Sequence, residues 1–229
     1  MIRVTENLRK IRDLLAKAAV DAGREADSVR LVAVSKKQPL SSVLEAAAAG
    51  QRDFGENQAI EGIEKINAVA DDALIWHFIG HLQTNKTRVV AEHFHWVHSV
   101  DRLKTATRLS QQRPKTLGDL NICLQVNVDA EESKSGAPID AVRDLARRVV
   151  DLPGLRLRGL MCLPAIRHEF AAQRIPFARL RRLAEELRAD GIATDTLSMG
   201  MSDDFRAAIF EGATIVRVGT AIFGPRNRL

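Results

Sequence analysis

Apolar and polar positions in this chain follow two periods. Residues 4 to 19 put Val4, Leu8, Ile11, Leu15 and Ala18 on one face, the spacing of an amphipathic helix. After that, apolar runs of strand length recur at 31–35, 52–55, 74–80, 95–100, 121–128, 155–162, 195–199 and 214–219. The second run is the weakest and rests mostly on Phe54 and the turn before it. Segments of helical period separate the runs. In "SSVLEAAAAG" the pair Ser42 and Glu45 predicts a capping box, and Gly50 predicts a stop. "PIDAVRDLARRVVDLPG" and "IPFARLRRLAEELRADG" repeat that logic, each closing at glycine.

Strand alternating with helix over short links predicts parallel pairing and an α/β fold. Eight such units fit a closed (β/α)8 TIM barrel carrying an extra N-terminal helix. An open doubly wound sheet is the structural alternative, but no G-x-G-x-x-G follows the first strand. No linker or low-complexity tract interrupts the pattern, so one domain is expected over residues 1–229.

Composition narrows the class. Hydrophobic residues make up 45% of the 229, enough for a sizeable core without staples. The two cysteines, Cys123 and Cys162, lie far apart in apolar strands and read as core rather than as a disulfide, a zinc knuckle or a nucleophile. The charged N-terminus lacks the apolar centre of a signal peptide, and no apolar run approaches membrane-spanning length. A cytoplasmic protein without membrane attachment is expected. The net charge of +5 raises nucleic-acid binding, yet basic residues are scattered among acids. With two Trp, eight Phe and no Tyr, stacking platforms are scarce.

Chemistry in such barrels collects at the carboxyl ends of strands. Lys36 and Lys37 stand at the first end, Glu56 and Asn57 at the second, His81 at the third, Ser99 at the fourth and Asn127 near the fifth. "SMGMSDD" follows the seventh run and "RVGTAIFG" covers the end of the eighth. Those two turns, with Gly200, Ser202, Gly219 and Thr220, lead into helices and offer backbone N–H groups to a phosphate. Alternatively Ser202 is only an N-cap and Gly219 only a turn, and Asp203 and Asp204 already complement the helix dipole. Arg217 shares parity with Ile215 and Gly219 and needs an acceptor if it points inward. A phosphate, a heteroaromatic nitrogen or a carboxylate such as Glu56 would serve. Lys36 has the parity of Val32 and Val34, and Lys37 that of Leu31 and Ala33; parity alone does not say which face is inward. A desolvated lysine with a lowered pKa can form a Schiff base. Lysine, phosphate turn and inward arginine together suggest pyridoxal phosphate. His77 and His81 in "HFIGH" lack the Glu of a zinc protease motif and, like the histidines of "HFHWVH", read as ordinary strand and loop residues.

The segments "LVAVSKKQP", "FGENQAIEGIEK", "WHFIGHLQTNK", "VHSVD", "QVNVDAEESKSG", "RGLMCLP", "LSMGMSDDFRAAI" and "VRVGTAIFG" occur in order from about residue 30 to residue 224. Together they resemble the signature segments of the pyridoxal-phosphate homeostasis proteins, the YggS/PROSC family. The resemblance implies the barrel domain of alanine racemase and pyridoxal 5'-phosphate (PLP) as cofactor. It implies that Lys36 is the Schiff-base lysine, that Ser202, Gly219 and Thr220 contact the phosphate, that Arg217 meets the pyridine nitrogen, and that Asn57 lies beside the cofactor. Family members often carry tyrosine or arginine where this chain has Gln58. The stretch "AIRHEFAAQRIPFARL" departs from the family loop, and nothing is carried over there.

A racemase of that barrel type uses two bases, the lysine and a tyrosine from a second domain across a dimer interface. This chain has no tyrosine, and its pattern ends after the eighth unit. The expectation is therefore a non-catalytic PLP-binding protein that buffers and passes on the cofactor, with PLP-dependent apo-enzymes as recipients. No long apolar stripe beyond the helices' core faces is evident, so a monomer is expected. A weak amino-acid racemase using another second base, such as a histidine, is the alternative; a basic RNA-binding barrel is the third reading.

Overall fold

The computed structural model describes residues 4–131 and 135–225. Its strands are β1 (Arg30–Val34), β2 (Asp53–Glu56), β3 (Ile75–Phe78), β4 (Trp96–Val100), β5 (Leu120–Asn127), β6 (Ala137–Pro138), β7 (Leu155–Cys162), β8 (Thr196–Ser198) and β9 (Ile215–Val218). Its helices are α1 (Val4–Asp21), α2 (Leu40–Ala48), α3 (Ala59–Val69), α4 (Thr87–His93), α5 (Leu103–Gln112), α6 (Val142–Val149), α7 (Phe170–Ala189), α8 (Phe205–Phe210) and α9 (Thr220–Phe223).

All strand pairings are parallel. They run β4-β3-β2-β1-β9-β8-β7-β5, and a β4–β5 pairing closes the ring, giving the eight-stranded barrel that the pattern predicts. The two-residue β6 pairs with β5 at Val126 and Asn127. It escapes sequence analysis because it is short and half proline.

Strand alternation sorts the core into two layers. Leu31, Ala33, Phe54, Trp76, Phe78, Val97, Leu124, Leu160 and Leu197 belong to the large cluster shared with the helices. Val32, Trp96, Cys123, Met161 and Ile215 form a smaller cluster of opposite strand parity, which fills the barrel lumen. Both cysteines are buried, and that burial raises their thiols to about 12, so they are core groups as expected.

Helix α1 buries Val4, Leu8, Ile11, Leu15, Ala18 and Ala19 and packs against α2, α8 and α9. It covers sheet that the six-residue α8 and four-residue α9 are too short to cover. Each buried Val, Leu or Ile of that face contributes about 1.5–3 kcal/mol.

Two local expectations fail. Ser42 does not cap α2: the N-cap is Pro39 without a side-chain bond, and Glu45 accepts from Thr5 of α1 instead. A proline at the N-cap leaves no amide to satisfy there. Helix α7 begins at Phe170 and carries Pro176 within it, although the sequence suggested a start near that proline.

Candidate functional site

Val32 belongs to the lumen cluster and Leu31 and Ala33 to the helix-facing one. Lys36 has the sequence parity of Val32, but both lysines lie in the turn beyond the end of β1, where strand alternation no longer fixes direction. Lys36 is half-buried at the carboxyl end of β1, and Lys37 is exposed and adopts φ 57°.

The residues on either side of Lys36 are held by α3. The Lys65 ammonium, buried against the sheet, donates to the Ser35 carbonyl at 2.6 Å and to Glu56 Oε1 and Glu61 Oε1, both at 2.8 Å. The Ser35 hydroxyl donates to Glu56 Oε1 at 2.6 Å, and the Lys37 amide donates to Glu61 Oε1. Burial pushes the Glu56 carboxyl upward, while Lys65 and Ser35 pull it back down. The turn that presents Lys36 is thus fixed at both neighbours by one buried charge cluster. Sequence analysis missed this clamp. Its only signal was the Glu61–Lys65 i,i+4 spacing, which reads as an ordinary solvated pair.

Arg217 stands in register with Val32, on the strand beside β1. It is 4% exposed, as its inward parity predicts. Glu56 is not its acceptor, because Glu56 follows the parity of Phe54 and faces α3. Instead Arg217 donates from Nη1 to Ser198 Oγ at 2.6 Å and from Nη2 to the Cys162 carbonyl at 3.0 Å. A guanidinium has five N–H groups, so three remain without an acceptor among the described residues. No carboxylate pairs with Arg217 among the described residues; burial lowers its pKa, with Cys162, Asp204 and Cys123 opposing.

Ser198 Oγ in turn lies 2.7 Å from His98 Nδ1, His98 Nε2 lies 2.9 Å from His77 Nδ1, and His77 Nε2 lies 2.9 Å from Asp53 Oδ1. His77 and His98 are fully buried, and burial lowers both pKa values, that of His98 well below the usual histidine range. They are strand residues, as the sequence reading has them, but their complete burial and their hydrogen-bonded column were not foreseen. Their parity with Ile75 and Trp96 was the signal that could have placed them inside. Among the described residues no cluster of three or more His, Cys, Asp or Glu could hold a metal ion.

The predicted phosphate turns lie at the ends of β8 and β9. The Arg217 amide donates to the Gly200 carbonyl at 3.0 Å, which ties the loop after β8 to β9. Gly200 has φ 95°, and a Cβ there would lie 2.7 Å from Ala208 Cβ, so the turn requires glycine. Ser202 is half-buried and is not the N-cap; Asp204 holds that position, and its carboxylate accepts from the Met201 amide at 2.6 Å. A Cβ on Gly219 would approach the Val34 carbonyl to 3.0 Å, which brings the turn before α9 against the end of β1. Thr220 is exposed at the first position of α9, where its N–H has no intrahelical acceptor. Lys36, Ser202, Arg217, Gly219 and Thr220 therefore share the carboxyl end of the adjacent strands β1, β8 and β9.

Asn57 is half-buried one residue beyond β2, and its Oδ1 is buried without a partner among the described residues. It lines a cleft of about 470 Å³ with Gln58, Phe78, His81, Gln83 and Lys86. Ser99 is buried with its hydroxyl unpartnered. Asn127 is a loop holder: its side chain donates to the Glu131 carbonyl and accepts from the Glu131 amide. Residues 132–134 of the "QVNVDAEESKSG" segment lie outside the described residues.

The family model "Alanine racemase, N-terminal domain" matches residues 3–227. The chain is 56% identical to the pyridoxal phosphate homeostasis protein of Pseudomonas aeruginosa, over 99% of this chain and 97% of that one. It is 48% identical to the pyridoxal phosphate homeostasis protein of Escherichia coli, over 98% and 97%. Among solved structures it resembles PipY of Synechococcus elongatus with PLP bound, at TM-score 0.85 and 38% identity over 96% of this chain and 100% of PipY. This chain belongs to the pyridoxal phosphate homeostasis proteins and carries the barrel of the alanine racemase N-terminal domain family.

Proposed function

We propose that this protein binds PLP at the carboxyl end of its barrel domain and serves cytoplasmic PLP homeostasis as a reversible holder of the cofactor rather than as an enzyme. The observation that carries this reading is Arg217: a buried guanidinium that, among the described residues, pairs with no carboxylate and keeps three N–H groups to spare, beside the strand that delivers Lys36. An isolated buried charge costs several kcal/mol, so its retention points to an electron-rich ligand. The glycine-bounded turns beside it fit a phosphate, and Lys36, half-buried at the end of β1, fits an aldehyde.

In this reading Lys36 holds the cofactor, Ser202, Gly219 and Thr220 hold its phosphate, and Asn57 lies beside it. PLP supplies, when bound, an aldehyde that condenses reversibly with amines. Arg217 is a donor only, so it holds an acceptor nitrogen in its unprotonated form and leaves the ring a weak electron sink. The two lumen histidines are committed to Ser198 and Asp53 and give no support to the racemase alternative. The chain contains no tyrosine to supply the other base. PLP-dependent apo-enzymes are the proposed recipients, and the proposed state is a monomer. Among the described residues no helix is long and apolar enough to cross a membrane.

Borohydride reduction of the PLP-incubated protein, followed by peptide mass spectrometry, tests the reading. The modified peptide is expected at Lys36, and Lys36→Ala is expected to abolish the adduct. An adduct at Lys37, or one unchanged in Lys36→Ala, would overturn it.

A further inference from the structure

The polar column inside the lumen has only one consistent direction. Arg217 can only donate, so Ser198 Oγ accepts from it. The Ser198 hydroxyl hydrogen then goes to its other partner, His98 Nδ1. His98 must carry its proton on Nε2 and donate it to His77 Nδ1. His77 in turn carries its proton on Nε2 and donates to the Asp53 carboxylate. The opposite direction would send two donors into Ser198 Oγ and leave the serine hydrogen without an acceptor, a costly state for a buried group.

Each neighbour is compatible with this direction. Trp96 stacks on His77 with ring centroids 5.5 Å apart and an interplanar angle of 17°, and it tilts against His98 at 5.7 Å. The Arg30 guanidinium stands 3.6 Å from Asp53 at the amino end of the barrel. The column therefore spans from a carboxylate at the amino end of β2 to a guanidinium near the carboxyl end of β9.

We propose that Ser198, His98, His77 and Asp53 are positioning residues for the cofactor site: a one-way hydrogen-bonded column through the lumen that pins Arg217 and leaves only its remaining N–H groups for the ligand. This deepens the reading in which Arg217 meets the pyridine nitrogen. Ser198 acts through Arg217 and touches no ligand itself. Without its oxygen the guanidinium loses one of its two fixed contacts and can turn away from the ligand.

The direction is tested without cofactor. Nitrogen-15 imidazole spectra of the full chain at neutral pH are expected to show His77 and His98 as neutral Nε2–H tautomers. A protonated ring or an Nδ1–H tautomer at either position would overturn the column. Positioning is tested by PLP titration, followed by the visible absorption band and by the reducible adduct. Ser198→Ala is expected to weaken PLP binding roughly tenfold and shift the band, while the adduct still forms at Lys36. Ser198→Thr, which keeps the hydroxyl, is expected to restore both readouts. Unchanged affinity and band in Ser198→Ala would overturn the positioning role, as would failure of Ser198→Thr to rescue. If the unmodified protein forms no adduct at Lys36, the PLP reading itself fails, whereas the tautomer spectra still decide the column.

Discussion

Two polar clusters serve the same end of the barrel by opposite electrostatics. The clamp behind Lys36 is made of full charges, with one ammonium shared by two carboxylates at the boundary between sheet and α3. The column behind Arg217 is mostly neutral, with a hydroxyl and two imidazoles passing hydrogen bonds through the lumen to a carboxylate at the far end. The clamp gives its buried ammonium carboxylate partners on the spot, leaving the neighbouring lysine turn fixed. The column leaves Arg217 largely uncompensated, so that the cation stays available to a ligand. A desolvated charge that already has its partner is structural, whereas one without a partner is poised for function.

Lys65→Met should give the largest effect on this contrast. It leaves Glu56 buried with its ammonium partner gone, and breaking a buried pair costs about 3–5 kcal/mol. Urea unfolding should show a matching fall in midpoint with little change in slope; a loss below about 1 kcal/mol would mean that the clamp is solvated and not the structural half of the comparison.

The column should respond to pH. Burial lowers the pKa values of His77 and His98 in the folded protein, with Asp53 opposing at His77. In the unfolded chain each binds a proton near pH 6.5. Their contribution to stability is therefore complete above that pH and is lost as pH falls below it toward the folded values. The loss is up to about 1.4 kcal/mol per pH unit for each histidine. Urea midpoints measured between about pH 7 and about pH 5.5 should fall accordingly, and a flat profile would contradict two neutral lumen imidazoles.

The smallest expected effect is a coupling. Clamp and column share no side-chain partner. A double-mutant cycle of Lys65→Met with Ser198→Ala should therefore be additive within about 0.5 kcal/mol. A larger interaction energy would make them one network and dissolve the comparison.

Much of this was legible in the chain. The alternation that predicted eight strands is a local property, because a residue's place inside or outside follows from period and length alone. All eight predicted strands exist with bounds shifted by a residue or two, and the buried face of α1 is the predicted one with Ala19 added. Parity grouped Arg217 with Ile215, and the structure buries both. What failed was of another kind. Ser42 looked like a cap because capping boxes are read from spacing, yet the preceding Pro39 moved the helix start. Glu56 was offered to Arg217 because both flank strand ends, but they lie on opposite faces of the sheet.

The sequence alone determined the period of each segment, the parallel pairing it implies and the side chains able to do chemistry at strand ends. Which acceptors Arg217 finds, and that Asp53, His77, His98 and Ser198 form one chain, were decided only by closing the barrel. The physical reason is range: periodicity is fixed by neighbours a few residues apart, whereas a hydrogen bond such as that between His98 and Ser198, 100 residues apart in sequence, exists only after the ring is shut.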